Sequence, residues 1–275
     1  MSFLQVQDVT HTYFSLKEKT AALENVSIEV EKGEFVSFLG PSGCGKTTLL
    51  SIIAGIVSPT EGRVLVEGRT PDGKDRHIGY MLQQDYLFPW KTIEENVLIG
   101  LHISKKLGPE TKETALGLLK KFGLYEVQNK YPKELSGGMR QRAALARTLA
   151  VDPDILLLDE PFSALDYQTK LNLEDLVFNT LKTYQKTAVL VTHDIGEAIA
   201  MSDRILLFSK QPGTIHKTFA VPEPIRKLTP FEARQEPEFQ PLFQNIWKEL
   251  NDLEQQTSRG CDHHSGRGCV VGLGE

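Results

Sequence analysis

The segment Gly40-Pro41-Ser42-Gly43-Cys44-Gly45-Lys46-Thr47 constrains this chain more than any other. It follows an apolar run over residues 34–39 and opens a stretch of helical character over 47–54. A strand that turns through glycines into a helix start aims successive backbone N–H groups, and the positive end of a helix dipole, at one point in space. That arrangement suits a chain of phosphates. Lys46 then reaches the β- and γ-phosphates as a point charge, and the Thr47 hydroxyl serves as a Mg²⁺ ligand. A glycine-rich turn matches this spacing by accident roughly once in a hundred chains of this length. With a strand before it and a helix after it, the phosphate-loop reading stands.

A second element belongs with the first. Residues Ile155-Leu156-Leu157-Leu158-Asp159-Glu160 form an apolar strand ending in two adjacent carboxylates. Side chains alternate on a strand, so a turn after Asp159 is needed to bring both acids to one site in different roles. Asp159 suits the Mg²⁺ shell, and Glu160 suits polarising a water that attacks the γ-phosphorus. Around these motifs, short apolar strands alternate with helical stretches at 137–150, 167–184 and 195–201. Such alternation predicts an α/β fold with a parallel sheet covered on both faces and the ligand at the carboxyl ends of the strands. A helical insert is expected over 92–122.

The run Leu135-Ser136-Gly137-Gly138-Met139-Arg140-Gln141-Arg142 narrows the class further. It places a hydroxyl, two bare glycines and a dipole at a second helix start, and so a second anion-binding site. This run resembles the signature sequence of ATP-binding cassette (ABC) proteins, and the resemblance covers about residues 3–220. It implies a P-loop ABC ATPase fold with a parallel-sheet core, an N-terminal antiparallel β subdomain and a helical subdomain at about 90–150. It also implies a homodimer in which the phosphate loop of one chain faces the signature of the other across two ATP molecules. By the same resemblance Tyr13 stacks on adenine, a contact worth ~1–3 kcal/mol. Gln83 senses Mg²⁺ and the attacking water, and His193 contacts the γ-phosphate. Asp166, in Ser163-Ala164-Leu165-Asp166, meets the opposite chain. The implied catalytic set is Glu160, His193, Gln83 and Lys46, and the implied Mg²⁺ set is Thr47, Gln83 and Asp159. Nucleotide contacts extend from Tyr13 and the loop 40–47 through Thr48 to Ser136, Gly137, Gly138, Gln141 and Asp166. Taken one at a time, Tyr13, Gln83 and His193 would be read as a core tyrosine, a solvated glutamine and a strand-end histidine. Their order along one chain changes that reading.

Two function classes fit. One is the ATPase subunit of an importer, acting on a separate permease. The other is a non-transport ABC ATPase acting on nucleic acid or ribosomes, which expects two cassettes in one chain or a long coiled-coil insert. The interval 47–135 is short and lacks sustained heptads, and a net charge of −5 gives no basic surface, so no nucleic-acid partner is expected. Leu87-Phe88-Pro89-Trp90 and Gln211-Pro212-Gly213-Thr214-Ile215 resemble the nitrate/sulfonate/taurine/bicarbonate group of importers. That group takes its solute, or a related vitamin precursor, from an extracytoplasmic binding protein. The trio 88–90 is expected to form a socket for a permease helix. No apolar stretch approaches ~18 residues and no secretory signal opens the chain, so the expected location is the cytoplasmic face of the membrane.

Beyond residue 220 the composition changes. The segment 221–230 is proline-rich, and residues 236–253 carry Phe239, Leu242, Phe243, Ile246, Trp247, Leu250 and Leu253 at helical spacing. The remainder, 255–275, is Gly-rich with little to bury and reads as a disordered tail. Its Cys261, His263, His264 and Cys269 have thiols and imidazoles of the kind that hold Zn²⁺, but four donors in such a tail are more often only a tail. The run 17–19 reads as a solvated turn. Cys44, beside Lys46 and a helix start, is expected to favour its thiolate and to be alkylated in competition with ATP.

Overall fold

The computed structural model describes residues 2–15, 19–72, 77–163, 165–210 and 212–261, with side chains as far as 255. Its centre is a six-stranded sheet. In chain order the strands are β3 (Phe35–Leu39), β5 (Ile78–Met81), β6 (Ile155–Asp159), β7 (Thr187–Thr192), β8 (Arg204–Phe208) and β9 (Ile215–Ala220). Their spatial order is β5-β6-β7-β3-β8-β9, parallel except for β9, which returns antiparallel on β8. The α/β alternation predicts the parallel strands; β9 is an antiparallel edge that periodicity does not reveal. A separate three-stranded antiparallel sheet joins β2 (Lys19–Val30), β1 (Leu4–Phe14) and β4 (Glu61–Val66).

Each central strand is buried on both faces, and its residues alternate between two cores. In β6, Leu156 and Leu158 enter the core under the helical layer, while Ile155 and Leu157 enter the core shared with β1, β2 and helix α1 (Lys46–Ile53). Period-two alternation with apolar residues on both sides is what a covered parallel strand requires. The helical layer consists of α2 (Ile93–Ile103), α3 (Pro109–Lys121) and α4 (Gly137–Ala150). The insert expected over 92–122 is therefore two helices. Thr92 starts α2 with a capping box to Glu95, and the chain breaks before Pro109, the first residue of α3. Two further helices, α5 (Tyr167–Thr183) and α6 (Ile195–Met201), complete the body.

The proline-rich segment contributes two short helices, α7 (Glu223–Arg226) and α8 (Pro230–Ala233). Pro230 occupies the first position of α8, where a missing N–H costs nothing. The final helix, α9 (Phe239–Cys261), buries Phe239, Ile246 and Leu253 in a core with α6, β8 and β9. Burying each such side chain contributes roughly 1.5–3 kcal/mol. This helix runs past 254, so residues 255–261 are helical where a disordered tail was expected. Glu254, Gln255 and Gln256 are good helix formers and carry the last turns without a core to bury. His263, His264 and Cys269 lie outside the described residues, as do Lys17, Glu18, Ala164 and Gln211. Lys19 is the first residue of β2 and lies over the Phe14 ring rather than in a turn.

Candidate active site

Four adjacent parallel strands end at one place, and each delivers a motif there. Strand β3 runs into the phosphate loop, β5 ends two residues before Gln83, β6 ends at Asp159 with Glu160 next, and β7 ends one residue before His193. A cavity of about 390 Å³ opens at this point, lined by Tyr13, residues 42–48, Gln83 and Glu160 among others. Ligands of open α/β sheets bind at such carboxyl ends.

The loop conformation follows from its glycines. Gly45 has φ 89° and caps α1; a Cβ there would come within 2.6 Å of the Ala22 carbonyl. No side chain caps this helix start, so its N–H groups remain available to an anion. The Lys46 ammonium donates to the carbonyls of Gly40 and Pro41 at 2.7 and 2.9 Å, which holds it at the cavity. The turn over 212–215 presses on the loop from outside. A Cβ at Gly213 would lie 2.0 Å from the Cys44 carbonyl, and Gly213 donates its N–H to Ala22. Only glycine allows that approach.

Thr47 Oγ1 donates to Asp159 Oδ1 at 3.1 Å. Burial raises the Asp159 carboxyl above the ordinary range, and Glu160 adds to that rise, while the Thr47 hydrogen bond and Lys46 oppose it. Glu160 adopts φ 47°, a left-handed backbone uncommon outside glycine. That turn brings Glu160 into the same site as Asp159. Gln83 Nε2 then donates to Glu160 Oε2 at 3.1 Å, and His193 Nδ1 lies 3.2 Å from Glu160 Oε1. Glu160 is thus held from two sides by groups 33 and 77 residues away in sequence. Tyr13 is half exposed at the cavity rim, its hydroxyl 3.3 Å from Thr48 Oγ1 and its ring set edge-to-face against His11.

The remaining expected contacts lie apart from this cavity. Ser136 Oγ accepts from Met139 N at 3.3 Å and starts α4, with Gly137 exposed beside it. Asp166 is exposed and accepts from Thr169 N, and these backbone donors lower its carboxyl below the ordinary range. Gln141, expected beside nucleotide, is only 4 % exposed and faces its own chain. Helical geometry puts it on the inner side of α4, so it supports the signature helix from beneath rather than lying on its surface.

Cys44 is also corrected. Its side chain is fully buried in the core behind the loop, and burial raises the thiol above its ordinary range despite Lys46 at 3.4 Å. Desolvation of a thiolate outweighs one nearby ammonium.

Three residues outside the expected set tie the site together. Arg140 Nε donates to Asp85 Oδ2 at 2.9 Å, and Arg147 donates to the carbonyls of Asp85 and Tyr86, both at 2.8 Å. The segment after Gln83 is thereby clamped to the signature helix. No linear signal marks these pairs, because 55 to 62 residues separate their members. Buried Asn96 holds the next turn, accepting from Phe88 N and donating to the carbonyls of Phe88, Lys91 and Thr92. Phe88 is half-buried, whereas Trp90 stands 70 % exposed with its ring 5.6 Å from that of Phe88. The trio does not fold into the core of the insert.

Residues 23–163 match the family described as ABC transporter. The chain is 72% identical over 256 residues to an uncharacterized ABC transporter ATP-binding protein, YtlC, of Bacillus subtilis, covering 93% of this chain and 98% of that one. It is 40% identical over 236 residues to the aliphatic sulfonates import ATP-binding protein SsuB of Bacillus licheniformis, covering 86% and 89% of the two chains. Among solved structures it is similar to a dimeric, post-hydrolysis state of the ATP-binding cassette MJ0796 bound to ADP and Pi. That match has a TM-score of 0.72 and 35% identity, and covers 80% of this chain and 99% of that one. With the phosphate loop, paired carboxylates and signature helix on one cassette fold, the chain belongs to the ABC transporter family, as one of its ATP-binding, ATP-hydrolysing proteins.

Proposed function

We propose that this chain is the ATP-hydrolysing subunit of an importer, working as a homodimer on a separate permease at the cytoplasmic face of the membrane. The observation that carries this reading is the convergence of Lys46, Gln83, Asp159, Glu160 and His193 at four neighbouring strand ends. In it, the loop 40–47 and Thr48 hold the phosphates through backbone N–H groups and the Lys46 charge, and Tyr13 stacks on adenine. Glu160 orients a water and takes its proton as the water oxygen attacks the γ-phosphorus and the bond to the leaving ADP oxygen breaks. Gln83 and His193 fix the Glu160 carboxylate in the geometry this requires, and His193 also meets the γ-phosphate. Thr47, Asp159 and Gln83 present oxygen donors, as a hard Mg²⁺ ion prefers, and the 3.1 Å contact of Thr47 with Asp159 supports that fit. When bound, Mg²⁺ would neutralise charge developing on the phosphates. Ser136, Gly137, Gly138 and Asp166 serve the nucleotide held by the opposite chain.

Exposed Trp90, with Pro89 and half-buried Phe88, offers an apolar contact beside the Gln83 segment for a permease helix. A groove lined by Lys91, Glu95, Leu98, Ile99, His102 and Ile103 continues it along α2. The transported solute is a small molecule of the nitrate, sulfonate, taurine or bicarbonate type, or a related vitamin precursor, delivered by an extracytoplasmic binding protein. Similarity to a relative named for aliphatic sulfonates supports the sulfonate-type choice. The test is ATPase activity of the complex reconstituted with permease and binding protein. Sulfonate should stimulate turnover, and Trp90→Ala should abolish stimulation while leaving basal turnover within about twofold. Equal loss of basal and stimulated turnover would remove the docking role of Trp90. Stimulation by none of the named solutes would remove the solute assignment.

A further inference from the structure

Five charged side chains meet behind the site, away from the cavity. Lys170 lies on the first turn of α5, the helix that Asp166 caps. Its ammonium is 2.7 Å from Asp194 Oδ2 and 2.9 Å from Glu197 Oε2, both on or at the start of α6. Asp194 caps α6 and adjoins His193. Glu174, one turn beyond Lys170, is fully buried and its Oε1 stands 3.9 Å from the same ammonium. Glu174 Oε2 is instead 2.7 Å from an Arg234 nitrogen, and Arg234 closes α8 in the C-terminal segment. Phe231 N of α8 also donates to Asp175 on α5, at 2.9 Å.

Two cations therefore face three carboxylates, and the carboxylates compete for them. Burial pushes Glu197 up to about 7, and its Oε1 has no hydrogen-bond partner among the described residues. Lys170 is the cation that favours its ionised form. A buried carboxylate deprived of its partner is costly and draws the nearest cation toward itself. Without Arg234, the nearest cation to Glu174 is Lys170. We propose that Arg234 is a positioning residue for hydrolysis: by neutralising Glu174 it leaves Lys170 on Asp194 and Glu197, and so holds α6 and the adjoining His193 in place against Glu160. The C-terminal segment thereby acts on turnover without touching nucleotide. This rests on the role given above to His193.

The experiment is phosphate release by the full chain with ATP and Mg²⁺, comparing Arg234→Met, Glu174→Gln and the double variant. Arg234→Met should lower kcat by roughly 2- to 30-fold. The KM for ATP should be unchanged, since neither Arg234 nor Glu174 lines the phosphate cavity. Adding Glu174→Gln should return kcat to within about twofold of the parent, because the competitor for Lys170 is gone. If Arg234 only packed the C-terminal segment, removing a second ion-pair partner would not restore turnover. A double variant as slow as Arg234→Met, or slow on its own where Arg234→Met fails to fold, would overturn the proposal. His193→Ala in the same assay separates the two readings. A large loss there with no effect of Arg234→Met defeats this proposal alone; normal turnover in His193→Ala defeats both.

Discussion

The helix starts at Gly45 and at Ser136, the two that the motifs set against an anion, are built differently. At Gly45 the helix has no side-chain cap, lies at the meeting of four strand ends and opens into a lined cavity. At Ser136 a hydroxyl caps the helix, Gly137 is exposed, and the start lies on the helical layer away from that cavity. Their electrostatics also diverge. Burial raises Asp159 and Cys44 beside the first, whereas backbone donors lower exposed Asp166 on the second side. One start is a finished pocket within its own chain, and the other is a surface. In the proposed homodimer the contrast separates two requirements: one chain supplies phosphate binding, and hydrolysis adds the surface of the other.

The largest expected effect tests the finished side. Glu160→Gln should retain ATP binding and lose about 10²- to 10⁴-fold in turnover. Normal single-turnover phosphate release in that variant would remove Glu160 as the base. Next comes the surface side. A Cβ added at Gly138 lies 2.9 Å from the flexible end of the Leu165 side chain, so the fold should survive Gly138→Val. Its bulk at the helix start should cost roughly 10²-fold in turnover with nucleotide binding to the isolated chain intact. Weakened binding in equal measure would show that the two starts are not separable. The smallest effect concerns Cys44. In a Cys261→Ser/Cys269→Ser background, N-ethylmaleimide at pH 7.5 should react with native Cys44 about 10-fold or more slowly than with the urea-unfolded chain. The sign follows from the raised thiol, which leaves less thiolate than a free cysteine at any given pH, and from complete burial. Rapid native modification that ATP blocks would return Cys44 to the open side of the loop.

Much of this site is legible along the chain because its parts are local. A phosphate loop works through consecutive N–H groups, so Gly40, Gly45, Lys46 and Thr47 must stand at fixed spacing, and Ser136 to Gly138 obey the same rule. Strand and helix patterns around them place β3, β6 and β7 well. Residues acting through partners far along the chain were less legible. Asp85 with Arg140 and Arg147, and Arg234 with Glu174, carry no spacing signal, because each contact bridges separate elements.

Cys44 and Gln141 show the limit from the other direction. Both lie inside motifs, where neighbours suggest exposure to nucleotide, yet both are buried, Cys44 in the core behind the loop and Gln141 on the inner side of α4. Motif chemistry, the parallel α/β architecture and the family were thus set by local order in the chain, since backbone geometry and periodicity are short-range. Which way Cys44 and Gln141 face, how Glu160 turns at φ 47° to meet Gln83 and His193, and how the C-terminal segment reaches α5 were decided by packing. Desolvation and ion pairing depend on what surrounds a group in space, and these surroundings come from residues tens of positions away.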